Sequence, residues 1–263
     1  MLDWNPALYS RFEDERTRPA RELLARVPAS TDGFVSVADL GCGPGNSTEL
    51  LTRRYRLAEV AGIDNSEAML AAARQRLPGI AFTRADIADI PAWLPAQPPS
   101  LIYANAALQW VPDHARLLPR LFDALAPGGA LAVQMPDNRD EPTHRLMREL
   151  ASEPPYAPLI GDAARSRADL LPIGGYYDLL APRAAQVDCW RTVYQHPMAS
   201  PRAIVDWVRG TGLKPFVDGL PPDLQASFLT EYERRIGLAY PPRADGRLLL
   251  AFPRLFFIAT RPS

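Results

Sequence analysis

Val37-Ala38-Asp39-Leu40-Gly41-Cys42-Gly43-Pro44-Gly45-Asn46-Ser47-Thr48 decides how the rest of the chain is read. An apolar run, Val35 to Leu40, carries an acidic residue near its end, and three glycines follow at every second position. Asn46, Ser47 and Thr48 offer capping side chains ahead of a helical pattern, Glu49 to Arg54. The stretch predicts a buried strand, a turn without side-chain bulk and a helix N-terminus. Ligand atoms can approach such a backbone closely and meet free N–H groups.

A dinucleotide fingerprint, Gly-x-Gly-x-x-Gly, aligned on Gly41 and Gly43 would place its third glycine at position 46, which is Asn; the third glycine here is Gly45. The pattern acidic-x-Gly-x-Gly-x-Gly instead resembles the one that class I S-adenosylmethionine methyltransferases carry after their first strand.

Working outward, strand and helix signals alternate. Strands are predicted over Val35–Leu40, Ala58–Ile63, Ile80–Thr83, Ser100–Ala104 and Ala130–Met135, with Ser66 capping a helix through Gln75. Asp113 opens a further helix towards Leu125, with Pro119 as an expected irregularity. Alternation of this kind argues for an α/β fold with a doubly wound, mostly parallel sheet. Beyond Pro136 the rhythm breaks. Val187–His196 and Leu255–Ala259 read as two more strands, which brings the sheet to seven. The segments 140–183 and 199–250 read as helical and are expected to pack together as a cap. One domain is expected, with its core over about 30–138, 184–198 and 252–262 and a lid over about 1–20. The lid reading rests on Trp4, Tyr9, Phe12, Arg16 and Arg18 crowding ahead of a helix, Ala20 to Val27.

Composition bounds the function classes. The 263 residues carry a net charge of -1, so no global basic field calls for nucleic acid. Cys42 and Cys189 form no disulfide framework, no apolar run reaches the roughly 18 residues of a membrane span, and nothing at the start reads as a signal peptide. A soluble, cytoplasmic protein is the expectation. No metal site is expected, because His114, His144 and His196 are far apart and neither cysteine has a ligand pair beside it.

In a doubly wound sheet, ligands bind beyond the carboxyl ends of the strands. Asp64 follows the second strand, where nucleotide-binding sheets place a carboxylate for ribose hydroxyls. Met69 lies one helical turn later, positioned for an adenine face. Asp86 and Ile87 follow the third strand, with a carboxylate and a backbone N–H for the adenine edge. Asn105 and Ala106 follow the fourth.

The flanks carry a narrower resemblance. Trp4-Asn5-Pro6-Ala7-Leu8-Tyr9 with Arg16, Arg18 and Pro19, the run Asn105-Ala106-Ala107-Leu108-Gln109-Trp110-Val111-Pro112, the strand Val187 to His196, and Ala239 to Gly246 followed by Phe252 to Phe257 are similar to the trans-aconitate methyltransferase family. That resemblance covers nearly the whole chain. It implies methyl transfer from S-adenosylmethionine to a carboxylate of a small polycarboxylic acid, trans-aconitate, leaving S-adenosylhomocysteine. It implies a cofactor site of Tyr9, Arg18, Asp39, Gly41, Cys42, Gly43, Asp64, Asn65, Met69, Asp86, Ile87, Asn105 and Ala106. A carboxylate is already ionised at neutral pH, so no catalytic acid or base is expected. Three carboxylates do call for donors, and the expected substrate residues are Arg16, Gln109, Trp110, Tyr194, His196 and Arg254. Trp190, Thr192, Tyr194 and His196 alternate, so they share one strand face.

Other readings stay open at this point. One is a methyltransferase for another acid, such as a malonyl thioester on a carrier protein. A second is a nicotinamide-dependent oxidoreductase, disfavoured by Asn46, and a third is a binding protein of the same fold without catalysis. The oligomeric state is not encoded in any of these signals.

Overall fold

The computed structural model describes residues 13–28, 33–161, 169–210 and 212–263, with side chains from Thr17 onward. Seven strands form one sheet: β1 Ser36–Leu40, β2 Glu59–Asp64, β3 Ala81–Arg84, β4 Leu101–Asn105, β5 Ala130–Pro136, β6 Gln186–Met198 and β7 Leu248–Thr260. Their order is β3-β2-β1-β4-β5-β7-β6. The first five strands are parallel, and β7 runs antiparallel between β5 and β6. The direction of winding reverses between β1 and β4, which is where a doubly wound sheet opens a crevice.

Two apolar layers sandwich the sheet. On one face, Leu23, Leu24 and Val27 of the helix Glu13–Arg26 pack with Val37, Tyr103, Ala132 and Phe256. The Tyr103 hydroxyl fastens that helix by donating to the Ala20 carbonyl at 2.6 Å. The same layer continues into the helices Pro142–Ala151, Pro201–Arg209 and Pro222–Ala239, which pack against one another. On the other face, Leu117, Leu118, Leu121 and Phe122 of the helix His114–Asp123 pack with Ile102, Leu131, Val133 and Phe257. That helix runs through Pro119 without a break, and Asp113 caps it by accepting from the Arg116 N–H.

The expected boundaries differ from the structure in two places. The helix Ile173–Leu180, expected in the cap, packs on the second face beside His114–Asp123, because Tyr176 and Leu180 are buried in that layer. The expected final strand, Leu255–Ala259, extends back to Leu248, so residues 248–250 are strand rather than cap. Leu248, Leu250 and Phe252 alternate with more exposed neighbours there. Both β6 and β7 therefore run 13 residues, well past the ends of the parallel strands. No described helix is long and apolar enough to cross a membrane.

Candidate active site

At the end of β1 the chain turns at Gly41, with φ of +66°. A Cβ there would lie 2.3 Å from that of Ala107, so only glycine lets this turn close against the loop after β4. Gly43 also has positive φ, and the space where its side chain would stand is open. The loop's amides, expected to be free, are largely used. Gly41 and Cys42 both donate to the Ile63 carbonyl, at 2.7 and 3.0 Å, and Gly45 donates to Cys42. Gly43 donates to Asp64 Oδ2 at 2.9 Å. The turn folds back onto the end of β2, whose acceptors are the nearest ones. What it presents outward is room.

The expected capping by Asn46, Ser47 and Thr48 is also different in the structure. Gly45 is the N-cap of the helix Asn46–Arg54 and no side chain caps it. The Ser47 and Thr48 hydroxyls instead donate to Asp39 Oδ2, at 2.8 and 2.7 Å. Asp39 is fully buried behind the loop and is not on the cavity wall. Burial pushes its carboxyl up to about 7, with the Thr48 and Ser47 hydroxyls pulling it down and Asp64 adding to the rise. The folded state therefore holds a proton that the unfolded chain releases near pH 4. Stability from this group falls as pH rises from about 4 to about 7, by up to about 4 kcal/mol. Asp39→Asn should consequently melt higher than wild type at pH 7.5, and the advantage should shrink towards pH 4.5. Thermal denaturation of both proteins across that range checks it, and parallel pH slopes would refute it.

Beyond the strand ends lies a cavity of about 450 Å³. That is within the range of small-ligand sites. Gly41, Cys42, Gly43, Asp64, Asn65, Met69, Asp86, Ile87, Asn105 and Ala106 line it, so ten of the expected cofactor residues meet there. Asp64 accepts from the Ser66 N–H as well as from Gly43, both at 2.9 Å, which fixes its carboxylate plane. Burial raises its carboxyl, offset by the N–H groups of Ser66, Gly43 and Asn65. Burial likewise pushes the Cys42 thiol up, which leaves it an uncharged wall. Asn105 Oδ1 and Asn46 Oδ1 are buried on the wall without a partner among the described residues. Two buried acceptors of this kind are costly unless a ligand donates to them.

Of the expected substrate residues, Gln109, Trp110 and Arg254 line the same cavity. Gln109 is held in the turn Leu108–Trp110, where its Nε2 donates to the Ala106 carbonyl at 2.6 Å. His114 anchors that turn, with Nε2 2.8 Å from the Leu108 carbonyl and Nδ1 2.8 Å from the Tyr176 hydroxyl. The Tyr176 oxygen accepts from the Leu171 N–H, so its proton goes to Nδ1 and the His114 proton sits on Nε2. Arg254 is buried; Nη1 donates to Gln134 Oε1 at 3.2 Å, and the guanidinium stands 4.8 Å from the Phe252 ring centre.

The structure does not bring Tyr194, His196 or Arg18 to the wall. The Tyr194 hydroxyl donates to Glu22 Oε2 at 2.6 Å, and Arg18 pairs with Glu22 while lying over the Tyr194 ring. His196 is packed against Trp207 and Phe252, one layer behind Arg254. Burial, with the Arg254 and Arg18 guanidiniums nearby, pushes its imidazole down to about 4, so it is neutral at neutral pH. Tyr9 lies outside the described residues, as does the Arg16 side chain.

Thr17, Asn138, His144, Trp207 and Phe252 also line the cavity and were not anticipated. Asn138 stands just past β5, so the rule that found Asp64 and Asp86 would have found it too. His144 and Trp207 come from helices in the two long insertions, where nothing local marks them. Among the described residues no group of three His, Cys, Asp or Glu side chains could hold a metal ion.

Asp64 on β2 and Arg254 on β7 are separated by four inter-strand steps, roughly 19 Å at ordinary strand spacing. The cavity lining spans that reach, with a carboxylate towards one side and a guanidinium towards the other.

Residues 37–129 match the family described as "Methyltransferase domain". The whole chain is 68% identical to a trans-aconitate 2-methyltransferase of Variovorax paradoxus, with 99% of each chain covered. It is 62% identical to the protein of that name from Methylobacterium radiotolerans, covering 100% of each, and 56% identical to the one from Yersinia pestis, covering 98% of each. Among solved structures it resembles a Haemonchus contortus phosphoethanolamine N-methyltransferase in complex with S-adenosylhomocysteine, with a TM-score of 0.55 at 16% identity, covering 94% of this chain and 53% of that one. It also resembles the YcgJ protein of Bacillus subtilis, with a TM-score of 0.58 at 14% identity, covering 94% and 99%. The structural matches establish the fold: a class I methyltransferase sheet.

Proposed function

Since the chain belongs to the trans-aconitate 2-methyltransferase family, we propose that it esterifies one carboxylate of trans-aconitate with the methyl group of S-adenosylmethionine. The observation that carries this reading is one cavity lined by a carboxylate, Asp64, towards one side and a buried guanidinium, Arg254, towards the other. S-adenosylmethionine supplies an electrophilic methyl group when bound. The chain's own task is then to hold and orient.

Asp64 takes the ribose hydroxyls on the lone pairs its two N–H bonds leave available. Met69 and Ile87 bracket the adenine, with Asp86 at its amino edge. Asn105 Oδ1 and Asn46 Oδ1 face the amino-acid end, where an ammonium group satisfies acceptors. Arg254 takes an acceptor carboxylate, with Gln109, Trp110, Asn138 and His144 around the remainder. The attacking oxygen is ionised before it arrives, so it needs no proton removed. Rate then comes from in-line placement in a dry site. The helix Glu13–Arg26 contributes Thr17 and Ala20 to the wall, while most of the lid expected over about 1–20 lies outside the described residues. The insertions that supply His144 and Trp207 act as a cap over the acceptor. A cytoplasmic location fits this chemistry.

Transfer of labelled methyl groups to trans-aconitate, cis-aconitate, citrate and a monocarboxylate of similar size tests the reading. The tricarboxylates should lead and the monocarboxylate should be nearly inert. Comparable rates on all four acids, or transfer only to a carrier-bound thioester, would overturn it.

A further inference from the structure

Gln134 is a polar side chain in a strand whose seven residues are all buried. It lies beside Asn105 of β4 in the parallel register and opposite Phe256 of β7 in the antiparallel one. Arg254 is two residues from Phe256 and so projects from the same face. Asn105, Gln134 and Arg254 thus form a polar row across three neighbouring strands, inside an otherwise apolar layer of Tyr103, Ala132 and Phe256. One end of the Gln134 amide is engaged, since Oε1 accepts from Arg254 Nη1 at 3.2 Å. Its Nε2 is buried with no partner among the described residues.

A buried amide satisfied at one end only is costly to the fold relative to a well-packed apolar residue. Ala132 on the same face of β5 is apolar, with Tyr103 and Phe256 in the same layer, so an apolar side chain at 134 would suit the packing. What Gln134 adds is direction. It is not on the cavity wall, yet its oxygen is a fixed, neutral acceptor for the guanidinium that is. A carboxylate in its place would neutralise Arg254, and a methylene would let the guanidinium swing. A neutral acceptor fixes the fork without itself cancelling the positive charge.

The geometry points to Gln134 as a positioning residue for the acceptor acid: it aims Arg254 at a carboxylate without cancelling its charge. This rests on the polycarboxylate reading of the cavity. Its test is calorimetric binding of trans-aconitate to the complex with S-adenosylhomocysteine, which needs no turnover.

Gln134→Met conserves volume and should weaken trans-aconitate binding about 3- to 10-fold, whereas Gln134→Glu should weaken it at least about 10-fold. S-adenosylhomocysteine affinity should change less than trans-aconitate affinity in both, because the Gln134 side chain bonds to Arg254 and makes no bond to Asn105 Oδ1 beside it. Arg254→Ala should weaken trans-aconitate binding about 100-fold, and adding Gln134→Met to it should change little more, since a residue acting through Arg254 has nothing left to aim. Losses that simply add would make Gln134 a packing residue and overturn the inference. Undiminished binding by Gln134→Glu, with Arg254→Ala impaired, would overturn it alone. Equal binding by wild type and Arg254→Ala would overturn the polycarboxylate reading and this inference together.

Discussion

Asp64→Ala is expected to weaken S-adenosylhomocysteine binding by roughly a hundredfold, because each hydrogen bond to an ionised carboxylate contributes about 1.5–3 kcal/mol and two ribose hydroxyls depend on this one. The substitution acts twice. It removes the ribose acceptors, and it unfastens Gly43, whose N–H is held by Oδ2. Asp64→Asn should not restore binding. An amide has one acceptor oxygen, so its NH₂ would face the N–H of either Gly43 or Ser66. Wild-type affinity should also fall as pH is lowered through the raised titration of Asp64, since protonation costs an acceptor. Calorimetric titration measures all three effects. Unchanged affinity in Asp64→Ala would mean that the ribose is held elsewhere.

The second large effect falls at the opposite end of the cavity. Arg254→Lys should lower kcat/KM for trans-aconitate about 100-fold, in line with the 2–5 kcal/mol lost when a buried, hydrogen-bonded charge pair is broken. Charge alone will not rescue it. The guanidinium lies over the Phe252 ring and reaches Gln134 with a terminal nitrogen, and an ammonium cannot reproduce both contacts. S-adenosylhomocysteine affinity should be unchanged, which separates this variant from Asp64→Ala. Wild-type turnover in the lysine variant would remove Arg254 from the acceptor site.

The sheet was readable because its signals are local. Each parallel strand is a short apolar run between breakers, and Gly41, Ser66 and Asp113 mark the turns and caps beside them. The cofactor end was readable for the same reason, as Asp64 and Asn105 each end a strand and Asp86 stands just past one. The acceptor end draws on contacts between segments more than a hundred residues apart, such as Gln134 with Arg254. Strand alternation placed Tyr194 and His196 on the inward face, and both are buried. It carried no information that Glu22 and Trp207 stand in front of them. The amides of the glycine turn were misjudged because their acceptors, Ile63 and Asp64, lie on the neighbouring strand.

The cavity wall is drawn mainly from two lengths of chain. The stretch 41–112 supplies the Asp64 end, and 136–254 supplies most of the rest, with Thr17 and Ala20 added from the first helix. Most of a relative's acceptor region, all but Gln109 and Trp110, could therefore be grafted in one piece, from the end of β5 to the first half of β7, onto an unaltered cofactor half. Such a chimera would inherit its donor's choice of acid while keeping the recipient's appetite for the methyl donor. The seam would run along Gln134, so residue 134 would have to travel with the graft.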